Sequence, residues 1–114
     1  MKYTDEYDID LRKMECKKIL LKHPDKIPII VEKNDKCHLN EINKKKYLSP
    51  NDMLINQFIF IIRKRISLEP SQSLFVMINN KLVPIGKTLG ELYEDEKNED
   101  GFLYMVYTSE NTFG

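Results

Sequence analysis

Cys37-His38 is the only place in this 114-residue chain where a cysteine and a histidine adjoin, a potential nucleophile beside a potential base. If the pair lies on a strand, the two side chains point to opposite faces and cannot share a proton. The only other cysteine and histidine, Cys16 and His23, lie far from the spacing of a zinc site. Gly86-Lys87-Thr88 resembles the end of a phosphate-binding loop, but Lys81 stands where the first glycine of that loop is required. The chain is therefore expected to be no enzyme and to carry no cofactor or metal. What remains is recognition chemistry: three consecutive lysines, Lys44, Lys45 and Lys46, followed by Tyr47 and an apolar helix.

These residues need a strand and a helix to place them. Along a strand, alternation puts Lys44, Lys46 and Leu48 on one face and Lys45, Tyr47 and Ser49 on the other, with Pro50 ending the run. From Asp52 to Ile66 the helical period gives two apolar arcs. Ile55, Ile59, Ile62 and Ile66 form one, and Leu54, Phe58, Ile61 and Arg65 flank it. One arc suffices for a core. The flank is then free to line a groove beside the strand, whose lysines and tyrosine suit an acidic, aromatic-bearing peptide.

Hydrophobic residues make up 41% and charged residues 32%, a globular composition that excludes a mainly disordered chain. The net charge is zero but polarised: residues 1–65 hold 15 basic and 10 acidic side chains, residues 66–114 hold 3 and 8. The acidic start, MKYTDEYDID, lacks the apolar region of a secretory signal. The longest apolar run, Phe102 to Tyr107, is far short of the roughly 18 residues a membrane helix needs. Two separated cysteines fit reduced, cytoplasmic usage.

In chain order, residues 1–10 carry weak signals, a helical turn or an arm. Asp10 to Lys22 reads as a helix with Leu11, Met14 and Leu21 on one side and Cys16, Ile19 and Leu20 on the other. One side docks, and Ile19, beside Glu15, is left to border a pocket. His23-Pro24 stops this helix. Ile27–Glu32 and Cys37–Ser49 read as a hairpin with a long second arm. After the Asp52–Ile66 helix come a strand at Leu74–Ile78, a turn at Asn79-Asn80, a strand at Lys81–Val83, one helical turn at Leu89–Tyr93, an acidic loop to Asp100, and a strand at Phe102–Tyr107. Phe102–Tyr107 is apolar on both faces, which suggests a central place in the sheet.

This order is that of a ubiquitin-like β-grasp, an α+β fold, with a helical extension over residues 1–26 preceding a domain over 27–114. The segments NKKKYLSPNDM, QFIFIIRKRI, LFVMINN, LGELYE and EDGFLYMVYTSENTFG resemble the autophagy ubiquitin-like modifiers of the GABARAP and light-chain-three type, from about Arg12 to Gly114. The resemblance implies a modifier activated at Gly114 by dedicated activating and conjugating enzymes and joined to phosphatidylethanolamine. Such a modifier is cytoplasmic, and membrane-associated on autophagosomes or other organelles once conjugated. It implies binding of aromatic-x-x-aliphatic motifs by strand addition. The first pocket would use Glu15, Ile19, Pro28, Ile30, Lys46, Leu48 and Phe102. The second would use Tyr47, Ser49, Pro50, Met53, Phe58, Ile61 and Arg65. Lys26, Lys44 and Lys45 would meet acidic residues of the peptide.

Two positions depart from the family's usual pattern. Ser49 stands where an aliphatic residue is common, which makes the second pocket wetter, and Lys26 replaces a frequent arginine, which loses bidentate grip on a carboxylate. The chain is expected to act as a monomer. Two rival readings share parts of this evidence: a modifier attached to proteins, and a basic module for tubulin or nucleic acid. No aromatic-interleaved basic stripe supports nucleic acid, which is not an expected partner.

Overall fold

The computed structural model describes residues 1–109. Five strands form one mixed sheet in the order β2-β1-β5-β3-β4. They are β1 (Lys26–Lys33), β2 (Lys46–Pro50), β3 (Phe75–Ile78), β4 (Lys81–Leu82) and β5 (Leu103–Thr108). β5 is central, as its two apolar faces suggest; it runs parallel to β1 and antiparallel to β3. The β3–β4 connection turns through Asn79 and Asn80 at φ of 52° and 63°, a left-handed pair that asparagine tolerates.

The helices α1 (Tyr3–Glu6) and α2 (Ile9–Lys22) lie on one sheet face, and α3 (Ile55–Arg65) and α4 (Leu89–Glu96) pack on the other. The main core joins Ile29, Val31, Leu103, Met105 and Tyr107 of the sheet to Ile55, Phe58 and Ile62 of α3 and to Leu89 and Leu92 of α4. A smaller core unites Tyr3, Cys16, Ile30 and Phe102. Asp8 caps α2 by accepting from the Leu11 N–H at 2.9 Å, and Thr88 caps α4 by accepting from the Glu91 N–H at 3.1 Å. Thr88 thus has a structural role in the segment that imitated a phosphate loop.

Several sequence expectations are corrected. Residues 37–45 form no strand, and the hairpin's second arm is only Lys46–Pro50. Cys37 is nonetheless buried and His38 exposed, so the pair is separated. α4 continues to Glu96, into the stretch read as acidic loop, because the Thr88–Glu91 capping box gives it a firm start. The buried arc of α3 is Ile55, Phe58, Ile62 and Ile66, while Ile59 is only half-buried. Phe58 belongs to the core and not to a free flank. α2 docks through Cys16, Ile19 and Leu20, leaving Leu11, Met14 and Leu21 exposed, so Ile19 lies on the docked side of the helix. Residues 1–8 are tied down: the Tyr3 N–H donates to the buried Glu32 carboxylate at 2.7 Å.

Candidate functional site

Among the described residues β2 is an edge strand, paired only with β1. The Val31 N–H donates to the Lys45 carbonyl at 2.8 Å. In an antiparallel ladder bonded pairs alternate, so Ile29 with Tyr47 and Ile27 with Ser49 are the next bonded pairs. The peptide groups of Lys46 and Leu48 consequently point away from β1, out of the sheet. An exposed edge of this kind can take an added strand. The side chains of the same strand divide as alternation predicts, Tyr47 and Ser49 buried toward α3, and Lys46 and Leu48 toward the α2 face.

On the α2 face the seven residues expected in the first pocket come together. Leu48 faces Pro28 and Lys46 faces Ile30 across the strand pair. Ile30 and Phe102 are fully buried, with Ile19 packed on them. The Lys46 Nζ lies 3.1 Å from a Glu15 carboxylate oxygen and 5.3 Å from the centre of the Tyr3 ring. Burial works against the Lys46 charge, but the hydrogen bond to Glu15 and the nearby Tyr3 outweigh it, and its pKa is raised. Leu48 is 39% exposed at the mouth, an apolar side chain left at the open edge. Tyr3 is a residue the sequence reading missed. Its ring stands edge-on to Phe102, with centroids 5.5 Å apart, and 5.1 Å from Tyr7, so an i,i+4 aromatic pair in the acidic arm was the available signal.

On the α3 face, Tyr47 and Phe58 meet edge-on at 5.6 Å and are both buried. With buried Ser49 they form the floor of a seam whose margin is half-buried Pro50, Met53 and Ile61 and exposed Arg65. Burial raises the Tyr47 phenol's pKa, opposed by the charge of Arg65. Its hydroxyl is buried without a hydrogen-bond partner among the described residues. An unsatisfied buried donor costs roughly 1–3 kcal/mol, so Tyr47→Phe is expected to stabilise the unliganded protein by about 1 kcal/mol, read as a higher urea midpoint at unchanged slope. A lower midpoint would show that the hydroxyl is paired in solution.

The three remaining lysines do not form one group. Lys44 is exposed, its amine 5.1 Å above the Tyr47 ring. The Lys45 amine donates to the Met1 carbonyl at 2.7 Å. Lys26 faces Pro50 at the other end of the ribbon, about 17 Å along it from the Val31–Lys45 bond. There it lines an open hollow with four carboxylates, those of Asp25, Asp52, Glu91 and Glu94. Gly114 lies outside the described residues. Cys16 is 2% exposed and burial pushes its thiol up to about 11, which leaves it unreactive. No helix among the described residues is long and apolar enough to cross a membrane.

A mixed five-stranded sheet with α3 across one face and added N-terminal helices on the other is the ubiquitin-like α+β architecture. The family model described as Autophagy protein Atg8 ubiquitin like matches residues 11–114, and the chain belongs to that family. It is 49% identical over 107 residues to Autophagy-related protein 8e of Arabidopsis thaliana, covering 94% of this chain and 88% of the relative. It is 46% identical over 112 residues to Autophagy-related protein 8 of Schizosaccharomyces pombe, covering 98% and 93%. The crystal structure of Trypanosoma brucei ATG8 superposes with a TM-score of 0.90 at 38% identity, covering 100% of this chain and 98% of that one.

Proposed function

We propose that this autophagy-family protein is a lipid-conjugated docking platform. It is joined through Gly114 to phosphatidylethanolamine by activating and conjugating enzymes, and it recruits aromatic-x-x-aliphatic peptides along β2. It supplies no catalytic group of its own, and moves from the cytoplasm to autophagic membranes on conjugation. The observation that carries the peptide reading is the edge of β2 at Lys46 and Leu48, which no strand among the described residues pairs, with Ile30 and Phe102 packed under one sheet face and Tyr47 and Phe58 under the other. Main-chain bonds along that edge would supply affinity, and alternate side chains directed to the two sheet faces would supply selectivity. Burying two large anchors at about 1.5–3 kcal/mol each, beside the main-chain bonds and against the ordering of the peptide, suits micromolar affinity.

Leu48→Ala is expected to weaken an acidic aromatic-x-x-aliphatic peptide by more than about 1 kcal/mol in calorimetry, at unchanged thermal midpoint. Its partial exposure makes it the clean probe; Phe58→Ala would remove a fully buried core ring and confound binding with folding. Lys46→Glu is expected to slow association with the same peptide, less so as salt rises. Equal affinity of Leu48→Ala and parent would place the peptide elsewhere.

A further inference from the structure

A hollow of about 680 Å³ opens at the end of the β1–β2 pair where Lys26 faces Pro50. Three parts of the chain wall it: the connection from α2 into β1, the turn after β2, and the first turns of α4. Buried Ile27 and half-buried Leu20 and Tyr93 give it an apolar lining. Around that lining stand the exposed carboxylates of Asp25, Asp52, Glu91 and Glu94, against the single ammonium of Lys26. These walls are tied together. The Leu89 N–H donates to the Met53 carbonyl at 2.9 Å and the Gly90 N–H to the Asn51 carbonyl at 2.8 Å, which fixes the β2–α3 turn on α4. A Cβ at position 90 would lie 3.0 Å from the Asn51 carbonyl oxygen, so glycine permits the approach.

The same bonds exclude an anion as occupant. The first three N–H groups of α4 are taken by the Met53 and Asn51 carbonyls and the Thr88 hydroxyl, so the helix end has no donor to offer. Bonds from the Thr88 N–H and hydroxyl hold the Glu91 carboxylate below its usual pKa, and it stays ionised. Asp25 and Asp52 make no ion pair among the described residues, and Glu94 meets Lys97 only at 3.9 Å. Nor do three acidic, histidine or cysteine side chains among the described residues converge closely enough to hold a metal ion. Negative charge spread around an apolar lining matches a longer cation, one with a stem to bury and a broad charged head.

We infer that this hollow is a second docking site, which takes an arginine-bearing basic segment of a partner protein. Arginine can lay its methylene stem on Ile27 and Leu20 while its planar fork bonds carboxylates of the rim, and lysine offers only a point charge. Lys26, expected to meet a peptide carboxylate, is outnumbered here four to one, so an acidic segment is repelled. The site does not depend on the peptide reading of β2, whose lysine-bearing edge selects the opposite charge.

The test titrates the full-length protein, followed by amide NMR shifts at low salt, with a short peptide in which arginine alternates with leucine. A second peptide carries citrulline at every arginine, which keeps the shape and removes the charge. The arginine peptide is expected to give saturable shifts centred on Lys26, Gly90 and Glu91, and the citrulline peptide to bind about tenfold more weakly or less. The double variant Asp52→Asn/Glu94→Gln is expected to weaken the arginine peptide about fivefold or more. Glu6→Gln/Glu69→Gln removes as much charge elsewhere and is expected to leave its affinity unchanged. All four side chains are exposed, so both double variants should keep the parent fold, which their remaining amide shifts verify. Equal weakening by the two double variants, shifts centred away from the hollow, or equal binding of the citrulline peptide would each overturn the site. Failure of the acidic peptide to bind β2, with this pattern intact, would overturn the β2 reading alone.

Discussion

Deleting Gly114 is expected to abolish both thioester and lipid adducts while leaving the fold and the peptide affinity of this protein unchanged. The reasoning is chemical. A free carboxylate is a poor electrophile; adenylation activates it, a cysteine of the conjugating machinery takes the acyl group as a thioester, and the lipid amine displaces the sulfur to leave an amide. In the proposed conjugation the reacting group is the α-carboxyl of Gly114, and glycine lets the backbone pass through a narrow channel in torsions closed to other residues. Conjugation to a two-chain lipid, at about 0.8 kcal/mol per buried CH₂, anchors a domain stably without any spanning helix. Intact-mass measurement of a reconstituted reaction checks this. A lipid-sized mass increase on the deletion variant would reject Gly114 as the attachment point. A mass matching a protein adduct on the parent, with no lipid adduct, would favour the modifier-of-proteins alternative.

Asp100→Ala is expected to cost about 3–5 kcal/mol of stability, the range for removing one partner of a buried ion pair. The Asp100 side chain is fully buried and accepts from the Arg12 guanidinium at 2.9 Å, the Phe102 N–H at 2.8 Å and the Tyr104 hydroxyl. Arg12 is itself only 12% exposed, so alanine at position 100 strands a cation with little water to replace its partner. Asp100→Asn keeps an acceptor but loses the charge and should cost less. Since this carboxylate holds the backbone of Phe102, which is proposed to support the first peptide anchor, the alanine variant should also bind the aromatic-x-x-aliphatic peptide more weakly. Urea unfolding with parallel calorimetry reads both effects. A loss below about 1 kcal/mol would mean that the Arg12–Asp100 pair contributes little beyond its geometry.

Two kinds of information separate here. Strand alternation in the Lys44–Ser49 stretch divided Lys46 and Leu48 from Tyr47 and Ser49, and the structure keeps that division because side-chain direction on a strand is a local property with period two. The central place of β5 was legible for a related reason: only a strand covered on both faces is apolar at successive positions. His23-Pro24 ended α2 through local sterics.

What local pattern could not supply was which of two apolar faces is covered. The angular position of Phe58 on α3 fits either the core or the groove, and its complete burial in the main core decides for the core. The face of α2 that docks, the packing of Tyr3 against Phe102 and Lys46, and the attachment of Lys45 to Met1 depend in the same way on the approach of distant segments. Asp100 shows the limit most sharply: in sequence it belongs to a solvated acidic run, yet its partner Arg12 is 88 residues away. Periodicity determined the order of the main elements and the two faces of the Lys46–Pro50 strand, but not where the hairpin's second arm begins or where α4 ends. Tertiary packing alone decided which charged side chains became buried, because desolvation and pairing are set by neighbours in space and not along the chain.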